Sequence, residues 1–162
     1  SDIIDKMQKN NQKHIITMDG HGRFILTFMR CLHEKGEKLN DWKFTVIDID
    51  EEVNKWHNMF LPKTFTCEQH DILTYLNQHT TTEKFIYLNF CSIPSGLKEK
   101  CYETLSKLKT KKSIIVSFSI RSRCKEDYTK KNRLTGTGLM NKFVHNGAIV
   151  ICKRSFFVTL YI

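Results

Sequence analysis

The sequence predicts an α/β domain built on a doubly wound, mostly parallel seven-stranded sheet that ends in a C-terminal antiparallel hairpin. Three observations lead there. Short β-branched or apolar runs alternate with stretches of helical periodicity five times in succession, and serial strand–helix units build parallel sheets. Residues 111–120 (KKSIIVSFSI) are almost continuously apolar after the two lysines, as a strand covered on both faces has to be. The last two strand-like runs are separated only by Lys153, Arg154 and Ser155. That connection is too short for a crossover, so the pair is antiparallel.

The elements follow in order. The first strand, HIITM over His14–Met18, runs into Asp19, Gly20, His21 and Gly22. Residues 23–35 then space Phe24, Leu26, Phe28, Cys31 and Leu32 along a helix that stops at Gly36. Residues 43–50 (KFTVIDID) make the second strand. Val53, Trp56, Met59 and Phe60 give residues 51–62 a helical stripe that Pro62 ends. A third strand over 64–67 leads through Gln69, His70 and Asp71 to a helix over 72–79 carrying Ile72, Leu73 and Leu76.

The fourth strand, residues 84–91 (KFIYLNFC), opens into Ser92, Ile93, Pro94, Ser95 and Gly96, and residues 97–109 form a helix with Tyr102, Leu105 and Leu108 inward. Beyond the fifth strand, residues 121–133 are a polar, basic connection. Residues 135–145 (TGTGLMNKFVH) make a helix whose two glycines suggest a flexible entry, and residues 148–152 and 156–162 are the hairpin. Residues 1–13 are set apart as an N-terminal extension to a single domain over 14–162.

Composition narrows the function classes. With 162 residues and 40% hydrophobic content, the chain suits one globular core. No apolar run approaches the roughly 20 residues of a membrane span, and the N-terminus lacks a secretory pattern. An intracellular setting, cytoplasm or nucleus, is therefore expected. The six cysteines are widely spread and are expected to be reduced and mostly buried thiols. Cys67 with His70 is the only metal-like spacing and lacks a second pair, so neither structural zinc nor another metal is expected.

The net charge of +9 is unevenly placed: −2 over residues 1–97, +8 over 98–133 and +3 over 134–162. Within the excess, Arg121, Arg123, Lys125, Lys130, Lys131 and Arg133 crowd one loop around Tyr128, and Lys153 with Arg154 can extend it. Such a loop is either ordinary solvated surface or a phosphate-binding one.

Candidate ligand residues gather where strands end. Gly20 and Gly22 stand at the first strand-to-helix turn, either as a tight turn or as a loop that lets a ligand approach the backbone. Asp48 ends the second strand, where a carboxylate offers two acceptor oxygens to a ribose, while Asp50 reads as the cap of the next helix. Asp71 can cap a helix, meet a ligand, or both. Asn89 closes the fourth strand.

The strand layout with its closing hairpin, together with Asp19-Gly20-His21-Gly22 and the VIDIDEEV stretch, resembles a class I, Rossmann-like S-adenosylmethionine-dependent methyltransferase reduced to its catalytic core. The resemblance spans residues 14–162. It implies S-adenosylmethionine as cofactor, held by Asp19, Gly20 and Gly22 at its methionine end, by Asp48 at the ribose, and by Ile49 and Asp71 at the adenine. It implies that Asn89 occupies the position of a catalytic residue and orients the acceptor, and it makes nucleic acid, DNA or RNA, the expected partner of the basic loop. A minimal core has no separate recognition domain, so a protein partner could supply target recognition.

Departures from the family pattern keep other readings in view. Met18 stands where the family's acid usually does, Phe24 replaces its third glycine, and the Asn89 segment carries one proline, Pro94. These motivate the alternative of a catalytically inactive methyltransferase-like module that binds nucleic acid or a partner. Cys91 as a nucleophile, and another Rossmann-type nucleotide binder, are the remaining alternatives.

Overall fold

The computed structural model describes residues 2–79, 85–110, 112–121 and 134–162. Seven strands form one sheet in the order β3-β2-β1-β4-β5-β7-β6. They are β1 (His14–Met18), β2 (Lys43–Asp48), β3 (Thr66–Gln69), β4 (Phe85–Asn89), β5 (Ser113–Ser119), β6 (Ile149–Lys153) and β7 (Phe157–Tyr161). Strand β1 pairs with β2, and β2 with β3, in parallel. Strand β7 runs antiparallel to both β5 and β6. The described helices are α1 (Asp2–Lys9), α2 (Arg23–Glu34), α3 (Glu51–Phe60), α4 (Ile72–Gln78), α5 (Lys98–Leu108) and α6 (Gly136–His145). The chain divides into two compact units, residues 1–87 and 88–162.

In the first unit, β1 and β2 bury Ile15, Ile16, Phe44, Val46 and Ile47, with Thr17 and Thr45 buried among them. Phe28 of α2 packs edge-on against Trp42 and Phe44, and Phe44 stacks on Phe65. Helix α2 stops at the predicted place. Gly36 takes φ +71, and the Glu37 amide reaches back to the Leu32 carbonyl at 3.0 Å, which closes the last turn with a left-handed residue. Helix α1 buries Ile4 and Met7. It is tied to the end of α2 by Lys35 with Asp5 at 2.6 Å and by Gln8 with Glu37.

Three expectations shift in this unit. Strand β3 lies two residues later than the apolar run suggested, because parallel pairing with β2 recruits Glu68 and Gln69. As the outermost strand it has no fully buried position, so it needs no apolar run. In α2 the inward face is Ile25, Phe28 and Leu32, while Leu26 is exposed. In α3, Met59 and Phe60 face solvent, and the residue of that helix that is buried is His57.

In the second unit, β5 is buried at six consecutive positions after Ser113, as its continuous apolar content predicted. Phe118 of β5 and Tyr102 of α5 both meet Phe143 of α6; Tyr102 is half-buried, and Cys101, Leu105 and Leu108 carry the α5 contact. The Thr-Gly-Thr-Gly entry to α6 serves close packing rather than flexibility. Thr135 caps the helix by accepting the Gly138 amide at 3.0 Å. A Cβ at Gly136 would stand 2.5 Å from the Ser119 carbonyl oxygen and 2.8 Å from Ile120 Cα, so only glycine lets α6 start against the end of β5.

The described cysteines are all free thiols. Only Cys101 is fully buried; Cys31 and Cys67 are half-buried, and Cys91 and Cys152 are exposed. Cys124 lies outside the described residues. No described helix is long and apolar enough to cross a membrane.

Candidate functional site

The carboxyl ends of β1, β2 and β3 bring the cofactor candidates of the first unit to one edge. Thr17 pairs with Val46 and Asp48 with Gln69. Continuing the β1–β2 register two steps places Asp19 level with Asp48, with Asp71 two residues past Gln69. In open parallel sheets this edge is where ligands bind, because strand ends and helix N-termini converge there.

The β1–α2 loop is held from several sides. Gly20 and Gly22 have φ of +53 and +79, a region that L side chains rarely adopt. Gly22 is the N-cap of α2 and has no side chain to offer. Asp19 supplies the cap instead: its Oδ2 accepts the Phe24 amide at 2.5 Å and the Ile25 amide at 3.3 Å. A buried carboxylate facing two amides at a helix N-terminus is well compensated. Phe24, in the third-glycine position, stacks face to face on Tyr87 with centroids 3.8 Å apart.

Sequence reasoning missed His57. This fully buried residue of α3 donates its Nε2–H to the Gly20 carbonyl, and its Nδ1 has no hydrogen-bond partner. The signal available in the sequence was a histidine one turn after Val53 and beside Trp56, which the apolar stripe obscured. Trp56 also belongs to the loop's surroundings. Its ring stands edge-on to His21 and 3.6 Å from where a Gly22 Cβ would be.

At the end of β2, Asp48 is half-buried and its Oδ1 accepts the Asp50 amide at 2.9 Å. Asp50 caps α3 by accepting the Val53 amide at 3.0 Å. Ile49, between them, is 65% exposed, an apolar side chain beside a strand-end acid. At the end of β3, Asp71 caps α4 by accepting the Thr74 amide at 2.8 Å. The cavity of about 110 Å³ near the α3 C-terminus, which His57 and Cys67 help to line, has room only for a few waters. Burial pushes the Cys67 thiol pKa up, making it less reactive.

In the second unit, Asn89 ends β4 and is exposed, with the next amide, Phe90, donating to the Ser117 carbonyl at 2.8 Å. Arg121 is exposed, its guanidinium 4.7 Å from the Phe156 ring centroid. Arg123, Lys125, Lys130, Lys131 and Arg133 lie outside the described residues.

No protein-family model matches the chain, and no curated protein matches it in sequence. Solved structures do match over nearly its whole length. An rRNA methylase from Streptococcus thermophilus aligns with a TM-score of 0.55 at 11% identity, covering 93% of this chain and 87% of that one. An S-adenosylmethionine-dependent methyltransferase from Mesorhizobium loti gives 0.53 at 13% identity, with 93% and 90% covered. The N-methyltransferase NodS from Bradyrhizobium japonicum gives 0.52 at 9% identity, with 99% and 92% covered. The fold is therefore the Rossmann-like fold of class I methyltransferases, including their antiparallel closing hairpin.

Proposed function

We propose that this protein is an S-adenosylmethionine-dependent methyltransferase acting on nucleic acid. The observation that carries the cofactor assignment is the Asp48–Ile49 corner, a half-buried carboxylate followed by an exposed apolar side chain, level with a left-handed glycine loop on the neighbouring strand. These residues fit the cofactor. Nothing within 4 Å occupies the space at Gly20 that a Cβ would take, so a ligand can approach the backbone there. Asp48 would hold the ribose hydroxyls, Ile49 and Asp71 the adenine, and the loop from Asp19 to Gly22 the methionine end.

When bound, S-adenosylmethionine supplies an electrophilic methyl group, and the chain's part is to place an acceptor in line with it. Asn89 is the candidate to orient that acceptor through its side-chain amide. The basic residues Arg121, Arg123, Lys125, Lys130, Lys131 and Arg133 would neutralise phosphates of a DNA or RNA substrate. One observation favours the second reading, a non-catalytic methyltransferase-like module. The Oδ2 atom of Asp19 is already committed to the α2 amides, which reduces what that acid can offer a ligand.

Isothermal titration with S-adenosylmethionine and S-adenosylhomocysteine tests the assignment. Asp48→Asn keeps an oxygen for the Asp50 amide but loses the charge and one acceptor, so cofactor affinity should fall about 10- to 100-fold, the range for hydrogen bonds to a charged group. No binding by the unaltered protein at millimolar ligand would refute the enzyme reading. Cofactor binding without methyl transfer from labelled S-adenosylmethionine to any DNA or RNA would favour the inactive module.

A further inference from the structure

The described part of the second unit carries a surface that the cofactor assignment does not use. Strand β6 is exposed at all five positions, and two aromatics consecutive in sequence, Phe156 in the turn to β7 and Phe157 at the first position of β7, are 51% and 39% exposed. A contiguous patch of large apolar side chains left in water marks an interaction site. Lys153, the last residue of β6, and Arg154, in the turn, are exposed. Arg121 lays its guanidinium over the Phe156 ring. No Asp or Glu occurs anywhere in residues 134–162.

The turn is also hydrogen-bonded on two sides. The Arg154 amide donates to the Phe157 carbonyl at 2.8 Å, and the Ile120 amide donates to the Phe156 carbonyl at 2.9 Å. The backbone that carries both rings is therefore engaged in hydrogen bonds, which favours presenting them in one arrangement.

We propose that the β6–β7 turn is a stacking platform for single-stranded nucleic acid, with Phe156 and Phe157 receiving bases and Arg121, Lys153 and Arg154 meeting the phosphates. Every base has a flat face, so two exposed rings beside Arg121, Lys153 and Arg154 suit a single strand without demanding a sequence. A duplex keeps its bases stacked on one another and cannot use the rings. An added polypeptide strand fits less well, because a bulge between Val150 and Cys152 interrupts the β6 edge, and a bulge disrupts the regular ladder such pairing needs. The inference rests on the nucleic-acid reading above and specifies it as unpaired polymer gripped at the hairpin.

Fluorescence anisotropy of the full chain with labelled oligouridine and oligothymidine of about 12 nucleotides, and a duplex of equal length, tests it. The single strands should bind more tightly than the duplex. Phe156→Ala with Phe157→Ala should weaken single-strand binding about 10-fold or more while leaving the salt dependence unchanged. Lys153→Ala with Arg154→Ala should make the log–log salt slope shallower by about 1.4, two phosphates' worth. Phe156→Leu with Phe157→Leu keeps apolar bulk but not the rings, and should behave like the alanine pair.

Equal binding of duplex and single strand, or unchanged affinity in the Phe variants, overturns the proposal. So does a stable dimer that Ile151→Lys dissociates, which would give the surface to a second copy. S-adenosylhomocysteine titrations on the same samples separate the two claims. Cofactor binding together with duplex binding but no preferential single-strand binding removes the platform alone, whereas ring-dependent oligonucleotide binding without cofactor binding removes the methyltransferase reading alone.

Discussion

His57→Phe should loosen the glycine loop without unfolding the protein. The histidine sits fully buried beneath Gly20 and donates to its carbonyl. Leaving that carbonyl without its donor costs about 1–3 kcal/mol. The same substitution deletes Nδ1, a buried nitrogen with no hydrogen-bond partner, and relieves a penalty of similar size, about 1–3 kcal/mol. Phenylalanine fills nearly the same volume, so the cavity contribution is small. Global stability should move by less than about 1 kcal/mol in a urea titration. The local cost falls on the loop, so the dissociation constant for S-adenosylhomocysteine should rise about 5- to 10-fold, and amide exchange at residues 20–24 should accelerate. His57→Gln can still donate to the carbonyl and should stay within about twofold of the original affinity. Native-like exchange and affinity in His57→Phe would refute the reasoning, because the glycines and Asp19 would then hold the loop unaided.

Two further outcomes follow from packing and burial. Gly136→Ala places a Cβ against the backbone at Ser119 and Ile120, which cannot move aside cheaply. It should destabilise by about 1–3 kcal/mol, whereas Gly96→Ala, with nothing within 4 Å, should be neutral or stabilise by up to about 1 kcal/mol; chemical denaturation reads both. Site-resolved thiol labelling of the native protein at mildly alkaline pH should modify Cys91 and Cys152, both exposed, and spare Cys101, whose thiol burial pushes up from 9.0 to about 12. Because the folded value is the higher one, the contribution of Cys101 to stability is intact below pH 9.0 and is lost as pH rises toward about 12. Labelling of Cys101 at the rate of Cys152 would show that it is not buried.

The fold was legible in the sequence because parallel strands with two covered faces must be written as apolar runs, and β1, β2 and β5 are such runs. The edge strand β3 was placed two residues early, since a strand solvated along one side can recruit Glu68 and Gln69. The caps were legible too: an aspartate directly before a helical stripe caps that helix, as Asp50 and Asp71 do. The inward face of α3 was not, because the chain buries His57 for a carbonyl contact with Gly20, 37 residues earlier in sequence. Hydropathy cannot report a contact of that kind. Gly136 shows the same limit, since a glycine kept for close approach and one kept for freedom look identical until the neighbouring backbone is known.

The aromatic neighbourhood of the glycine loop gives the protein its own optical probe. Of its two tryptophans, Trp42 is buried and donates to Glu37 at 3.2 Å, while half-buried Trp56 leans on Gly22 and His21. A molecule settling on the loop changes the polarity and mobility around Trp56 and leaves Trp42 as a steady internal reference. Emission spectra of the unlabelled protein, before and after a Trp56→Phe exchange, can therefore follow occupancy of that loop in real time, whatever small molecule arrives there.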